Sequence, residues 1–156
     1  KGGITFSGKY DKVEFENREK GLIRVIDYKT GKPDKHIKNL ENTSCDLASE
    51  ECDDYLRQLV AYKILYENDI HEPARYSVSH GVLVFLEPAV NTTKKYNLTK
   101  GDFIDKKIKI TQDMVGELEE VIGKAWENIN KLLFDKLPER DVRKCPNCAF
   151  DSICWG

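Results

Sequence analysis

The sequence lacks several features that would fix its class at once. No apolar run approaches the roughly 20 residues of a membrane span. No basic segment followed by an apolar core marks a secretory leader, so the expected setting is cytoplasmic and away from membranes. Excess charge of one sign is absent as well: 25 Lys+Arg face 27 Asp+Glu, a formal net charge of −2. That balance argues against a self-repelling disordered chain and against bulk electrostatic coating of nucleic acid. It leaves room for a local basic groove beside an acidic metal site, because metal-binding carboxylates pull the total down. There is no internal repeat and no low-complexity tract. The five cysteines make an odd count, where a disulfide framework would favour an even one. The 156 residues suit one domain with a real core, read here as 1–156 with 138–156 as a cysteine-bearing staple. The chain opens Lys1-Gly2-Gly3 without Met, which reads as part of a larger protein.

Two alternating segments are present at the start. Residues 4–15 predict a strand with Gly8 as a bend or bulge, and Asp11, Val13 and Phe15 on one face. Residues 22–29, Leu-Ile-Arg-Val-Ile-Asp-Tyr-Lys, predict the strongest strand, with Ile23, Val25, Asp27 and Lys29 on one face by the period of two. Together they read as a β-hairpin. Residues 33–52 are polar and without period, a long loop or insertion in which Cys45 and Cys52 read as incidental thiols. A helix follows from about Asp53 to Asn68 with Leu56, Leu59, Val60 and Ile64 as its buried stripe. Gln58 and Tyr62, four apart, leave it from one face. Residues 76–87 predict a central strand ending at Pro88, and 94–98 and 106–110 short extended segments. A long helix, Gln112 to Phe134, is capped by Thr111. The order of elements implies a mixed α/β layer fold.

Charge on a core-facing strand is costly unless it is paired or coordinates a metal. Asp27 and Lys29 stand on such a strand, and the predicted hairpin brings Asp11 beside them. Two carboxylates and a lysine at one sheet edge are equipment for metal-assisted phosphodiester hydrolysis. The carboxylates hold Mg²⁺, and the lysine stabilises charge or orients the nucleophile. At the C-terminus, Cys145, Cys148 and Cys154 form a C-x2-C-x5-C run suited to metal or cluster ligation, one ligand short of four. His36, His71 and His80 show no metal-like spacing and read as ordinary loop or strand histidines.

Three motifs carry a resemblance. They are Gly8-Lys9-Tyr10-Asp11-Lys12-Val13-Glu14, then Val25-Ile26-Asp27-Tyr28-Lys29-Thr30-Gly31, then Gln58-Leu59-Val60-Ala61-Tyr62. In this order they resemble the RecB-like branch of the PD-(D/E)XK nuclease superfamily, read G-x-x-D-R-x-D, hh-D-Y-K-T/S-G and Q-x-x-x-Y. Lys12 stands where Arg is usual and Glu14 where Asp is usual. The resemblance implies an α/β, restriction-endonuclease-like mixed β-sheet flanked by helices. It implies that Asp11 and Asp27 are metal carboxylates, that the backbone carbonyl of Tyr28 adds a ligand, and that Lys29 is the catalytic lysine. Gln58 and Tyr62 would contact DNA or support the site.

The cysteine trio resembles the iron–sulfur staple of AddB-type nucleases, which implies a 4Fe–4S cluster, with zinc as the alternative. Its fourth ligand would be Cys45, Cys52 or a residue upstream. The resemblance implies a further helix before the core, expected upstream of Lys1. The expected activity is a Mg²⁺- or Mn²⁺-dependent deoxyribonuclease, an exonuclease rather than an endonuclease. It would serve DNA repair or recombination beside a helicase domain or subunit. The alternative is a non-catalytic, nuclease-like DNA-binding or structural module.

Overall fold

The computed structural model describes residues 4–36, 46–49, 51–69, 75–93, 98–133 and 136–156. They fall into two compact units, Lys1–Gly123 and Lys124–Gly156.

The first unit is built on a four-stranded sheet. Strands β1 (Lys12–Asn17), β2 (Leu22–Lys29), β3 (Ser77–Phe85) and β4 (Asp105–Lys109) lie in the order β1-β2-β3-β4. β1 and β2 form the expected antiparallel hairpin, with Lys12 opposite Ile26 and Val13 opposite Val25. β2 and β3 are parallel, pairing Val25 with Gly81, Asp27 with Leu83 and Lys29 with Phe85. β4 returns antiparallel to β3. A parallel pair needs a crossover, and that segment contains helix α1 (Asp54–Glu67). Helix α2 (Gln112–Asn130) follows the sheet. This four-stranded mixed sheet flanked by helices is the expected fold class.

Sequence chemistry explains the packing of α1. Asp53 caps it, its carboxylate accepting the Tyr55 N–H at 2.8 Å. The expected stripe of Leu56, Leu59, Val60 and Ile64 is buried against Ile23, Val25, Val78, Leu83 and Phe85. Each such side chain contributes about 1.5–3 kcal/mol on burial. Gly81 permits the close approach: a Cβ there would stand 2.8 Å from the Leu59 side chain.

The strand over residues 4–15 is shorter than expected. It starts at Lys12, and residues 4–11 carry no strand. Gly8 lies so close to α1 that an added Cβ would meet Leu65 Cδ1 at 2.6 Å. The segment therefore packs on the helix instead of extending the sheet. The polar loop before α1 also differs from expectation, since Leu47 and Cys52 join the core. The Arg57 guanidinium holds that loop by donating to the carbonyls of Leu47 at 2.8 Å and Cys52 at 3.1 Å. Cys52 is disulfide-bonded, not an incidental thiol, and is withdrawn as a candidate cluster ligand. Cys45, residues 94–97 and His71 lie outside the described residues.

Thr111 caps α2 as expected, its hydroxyl accepting the Met114 N–H at 3.3 Å. The helix stops at Asn130 rather than near Phe134, and Leu132 follows in the left-handed region at φ 54°. Val115 and Leu118 are its buried residues, whereas Ile129, and Leu133 beyond its end, are exposed.

In the second unit, a short helix α3 (Asp151–Trp155) follows a 3-10 turn at Cys145–Asn147. Arg140 clasps Asp151 through Nε at 3.0 Å and Nη2 at 2.5 Å, and Lys136 Nζ lies 4.0 Å from the Trp155 ring centroid. Among the described residues, no helix is long and apolar enough to cross a membrane.

The close contact at Gly81 yields a direct test. Gly81→Ala should lower the stability of the fold by about 1–3 kcal/mol through overpacking against Leu59, measured by urea denaturation. Unchanged stability would show that α1 does not approach β3 this closely.

Candidate active site

The candidate site forms where the end of β2 meets α1. Alternation places Asp27 and Lys29 on the face that α1 covers, so both charges are drawn out of water. Asp27 is only 4% exposed, and its Oδ2 stands 2.6 Å from Lys29 Nζ. Helix periodicity then brings two polar side chains over the pair. Tyr62 donates its hydroxyl hydrogen to Asp27 Oδ1 at 2.8 Å. Gln58 donates from Nε2 to Tyr62 Oη at 2.6 Å and to Asp27 Oδ1 at 3.2 Å. Its Oε1 accepts from Lys29 Nζ at 2.6 Å.

The two oxygens of Asp27 are thus differently served. Oδ1 has two donors. Oδ2 is buried and, although it lies at ion-pair distance from Lys29, meets no hydrogen-bond geometry. The Coulomb attraction is present while the directional bond is not. A buried oxygen with capacity to spare is what a divalent cation needs from a carboxylate.

Asp11 reaches the site from the other side of the hairpin. It precedes β1 and is exposed, rather than lying within a strand among apolar neighbours as expected. Its Oδ2 accepts the Tyr28 N–H at 2.8 Å. The β1–β2 pairing, continued one residue beyond Lys12 and Ile26, puts Asp11 beside Asp27. All five residues singled out in this region, Asp11, Asp27, Lys29, Gln58 and Tyr62, therefore belong to one connected neighbourhood. Tyr55 also belongs to it and escaped the sequence reading. Its ring centroid lies 4.2 Å from Lys29 Nζ. The signal was available, because Tyr55 lies three residues before Gln58 and so on the same helix face.

The cysteine trio behaves differently. Cys145, Cys148 and Cys154 are free thiols; Cys145 is buried and Cys148 exposed. Among the described residues, no group of three or more His, Cys, Asp or Glu side chains is arranged to hold a metal ion. The expected gathering of the three thiols around one centre is therefore not present. His80 sits on β3 and His36 in a turn, as expected, and the His36 ring packs against those of Tyr55 and Phe85.

Tyr62 carries the electrostatic signature of the site. Burial, and then the hydrogen bond to the Asp27 carboxylate, push its phenol up to about 12, against the opposing donation from Gln58. An unfolded tyrosine ionises near 10, so the unfolded chain loses its proton first as pH rises. Any stability that Tyr62 contributes is complete below pH 10 and is lost between about 10 and 12. The stability advantage of the wild type over Tyr62→Phe, measured by urea denaturation, should be constant below pH 10 and shrink above it. An advantage independent of pH across that window would contradict the buried Tyr62–Asp27 bond.

Comparison with curated proteins and with solved structures found no significant match. A family model for the PD-(D/E)XK nuclease superfamily, however, matches residues 1–155. Nearly the whole chain is covered, and the mixed sheet is the one this fold requires. The chain belongs to the PD-(D/E)XK nuclease superfamily.

Proposed function

We propose that this chain is the nuclease module of a Mg²⁺- or Mn²⁺-dependent deoxyribonuclease. One observation carries the reading. Asp27 Oδ2 is buried, without a hydrogen bond, and next to both Lys29 and the strand end where Asp11 arrives. The donor set fits a hard divalent cation: the Asp11 and Asp27 carboxylates with the Tyr28 backbone carbonyl. A bound Mg²⁺ would polarise the scissile phosphate and lower the pKa of its water.

The chain's own residues do the rest. Gln58 and Tyr62 occupy Asp27 Oδ1 and thereby orient the carboxylate. Gln58 also accepts from Lys29 and sets the direction of the ammonium. Lys29 supplies the positive charge that steadies negative charge developing on the phosphate. The RecB-like motifs support a DNA substrate, exonucleolytic action and a place in repair or recombination beside a helicase domain or subunit. A cytoplasmic setting belongs to the same reading.

The cysteine trio is a separate part of the proposal. Its support is the C-x2-C-x5-C spacing alone, with a fourth ligand from outside the chain. Iron and zinc analysis of anaerobically prepared protein, with its visible spectrum, should show a 4Fe–4S cluster, or zinc instead. Loss of metal in Cys145→Ala would confirm the ligand. Metal-free protein, or an unchanged content in that variant, would end the reading.

The site is tested by cleavage of linear DNA by the intact protein. Asp27→Ala and Lys29→Ala should each reduce Mg²⁺-dependent cleavage by roughly 100-fold or more while the protein stays folded. Cleavage at the wild-type rate in either variant would show that the site is wrongly assigned. A non-catalytic module would show no metal-dependent cleavage even as wild type.

A further inference from the structure

We infer that Tyr55 is a positioning residue for Lys29, and that His36 braces it; this rests on the role of Lys29 given above. Among the described residues, the ammonium meets Asp27 Oδ2 and Gln58 Oε1, each at 2.6 Å, and the Tyr55 ring at 4.2 Å from its centroid. Tyr55 and Gln58 are three residues apart on α1 and address the same nitrogen from one helix face. The Lys29 side chain is 14% exposed, so the negative face of the ring acts on a largely desolvated cation, where such contacts are strongest.

The ring is itself held. The His36 ring lies 4.6 Å from that of Tyr55 and stacks on Phe85 at 6.1 Å and 22°. His36 Nε2 is 3.5 Å from the Tyr55 hydroxyl. Phe85 pairs directly with Lys29 across the parallel strands. The brace thus starts and ends at the lysine: Lys29, its strand partner Phe85, His36, and Tyr55 over the ammonium.

This arrangement matters because Asp27 has two claims on it. A cation held by Asp27 would weaken the attraction between that carboxylate and Lys29, and like charges repel. A lysine has a flexible four-carbon stem and would be free to swing away. Gln58 Oε1 and the Tyr55 ring are the neighbours that still hold the ammonium in place. They attract it without competing for the metal.

The experiment replaces Tyr55 by Phe and by Phe ring-fluorinated at one and at three positions. This series nearly preserves shape while draining charge from the ring face. In the intact protein, kcat for DNA cleavage should stay within about threefold of wild type for Tyr55→Phe. It should fall stepwise with fluorination to about tenfold, with KM within about twofold. In metal-free protein, the Lys29 ε-protons should be shifted upfield by the ring in wild type and Tyr55→Phe, and lose that shift in Tyr55→Leu. A flat kcat across the fluorinated series, a loss confined to KM, or no ring-dependent shift would overturn the inference. Lys29→Ala, assayed alongside, separates the two claims. If it cleaves normally, the reading of Lys29 fails; if it is inactive while the fluorinated series is flat, only the role of Tyr55 fails.

Discussion

A carboxylate and an ammonium share a poorly hydrated space between a sheet and a helix, and the rest of the first unit is arranged around that fact. Asp27 and Lys29 lie two residues apart on β2, so both point into the interface with α1. Removing such charges from water costs several kcal/mol each, and their mutual attraction repays it only when the remaining lone pairs and protons are also served. Gln58 and Tyr62 perform that service for Asp27 Oδ1 and for the ammonium. Asp27 Oδ2 is left without a hydrogen bond. Its partner is the Lys29 ammonium at 2.6 Å, an ion pair without a directed hydrogen bond.

The fold supplies the geometry that makes this possible. Parallel pairing of β2 with β3 forces a crossover, and the crossover segment contains the helix that carries Tyr55, Gln58 and Tyr62. Gly81 and Gly8 let that helix lie close, one beneath Leu59 and the other beside Leu65. Packing and chemistry thus use two stripes of one helix: Leu56, Leu59, Val60 and Ile64 anchor it, and the polar stripe serves the charges. A shift of the helix would weaken the core and the site together.

Much of this was legible in sequence because it follows from short-range periodicity. The period of two along residues 22–29 placed Asp27 and Lys29 on the core face, and the 3.6-residue period placed Leu56, Leu59, Val60 and Ile64 inside. The motif order led to the superfamily. Legibility failed where tertiary contact decided the outcome. Alternation continued into residues 4–11, but the close approach of Gly8 to Leu65 took them out of the sheet. Residues 33–52 looked uniformly polar, yet Leu47 is fully buried because Arg57 gathers the loop carbonyls. Tyr55 escaped the sequence reading because its partner, the Lys29 ammonium, is 26 residues away in sequence. The cysteine spacing predicted a shared centre, and spacing alone did not bring the thiols together.

The central claim is that Asp27 Oδ2 and Asp11 form a divalent-cation site beside Lys29. The most direct measurement is a crystal structure of Mn²⁺-soaked protein with anomalous scattering recorded at the manganese edge. The account predicts one anomalous peak within coordination distance of Asp27 Oδ2 and an Asp11 carboxylate oxygen, with Gln58 and Tyr62 still on Asp27 Oδ1. No peak there at saturating Mn²⁺, with Asp27 Oδ2 still facing only Lys29, would contradict it.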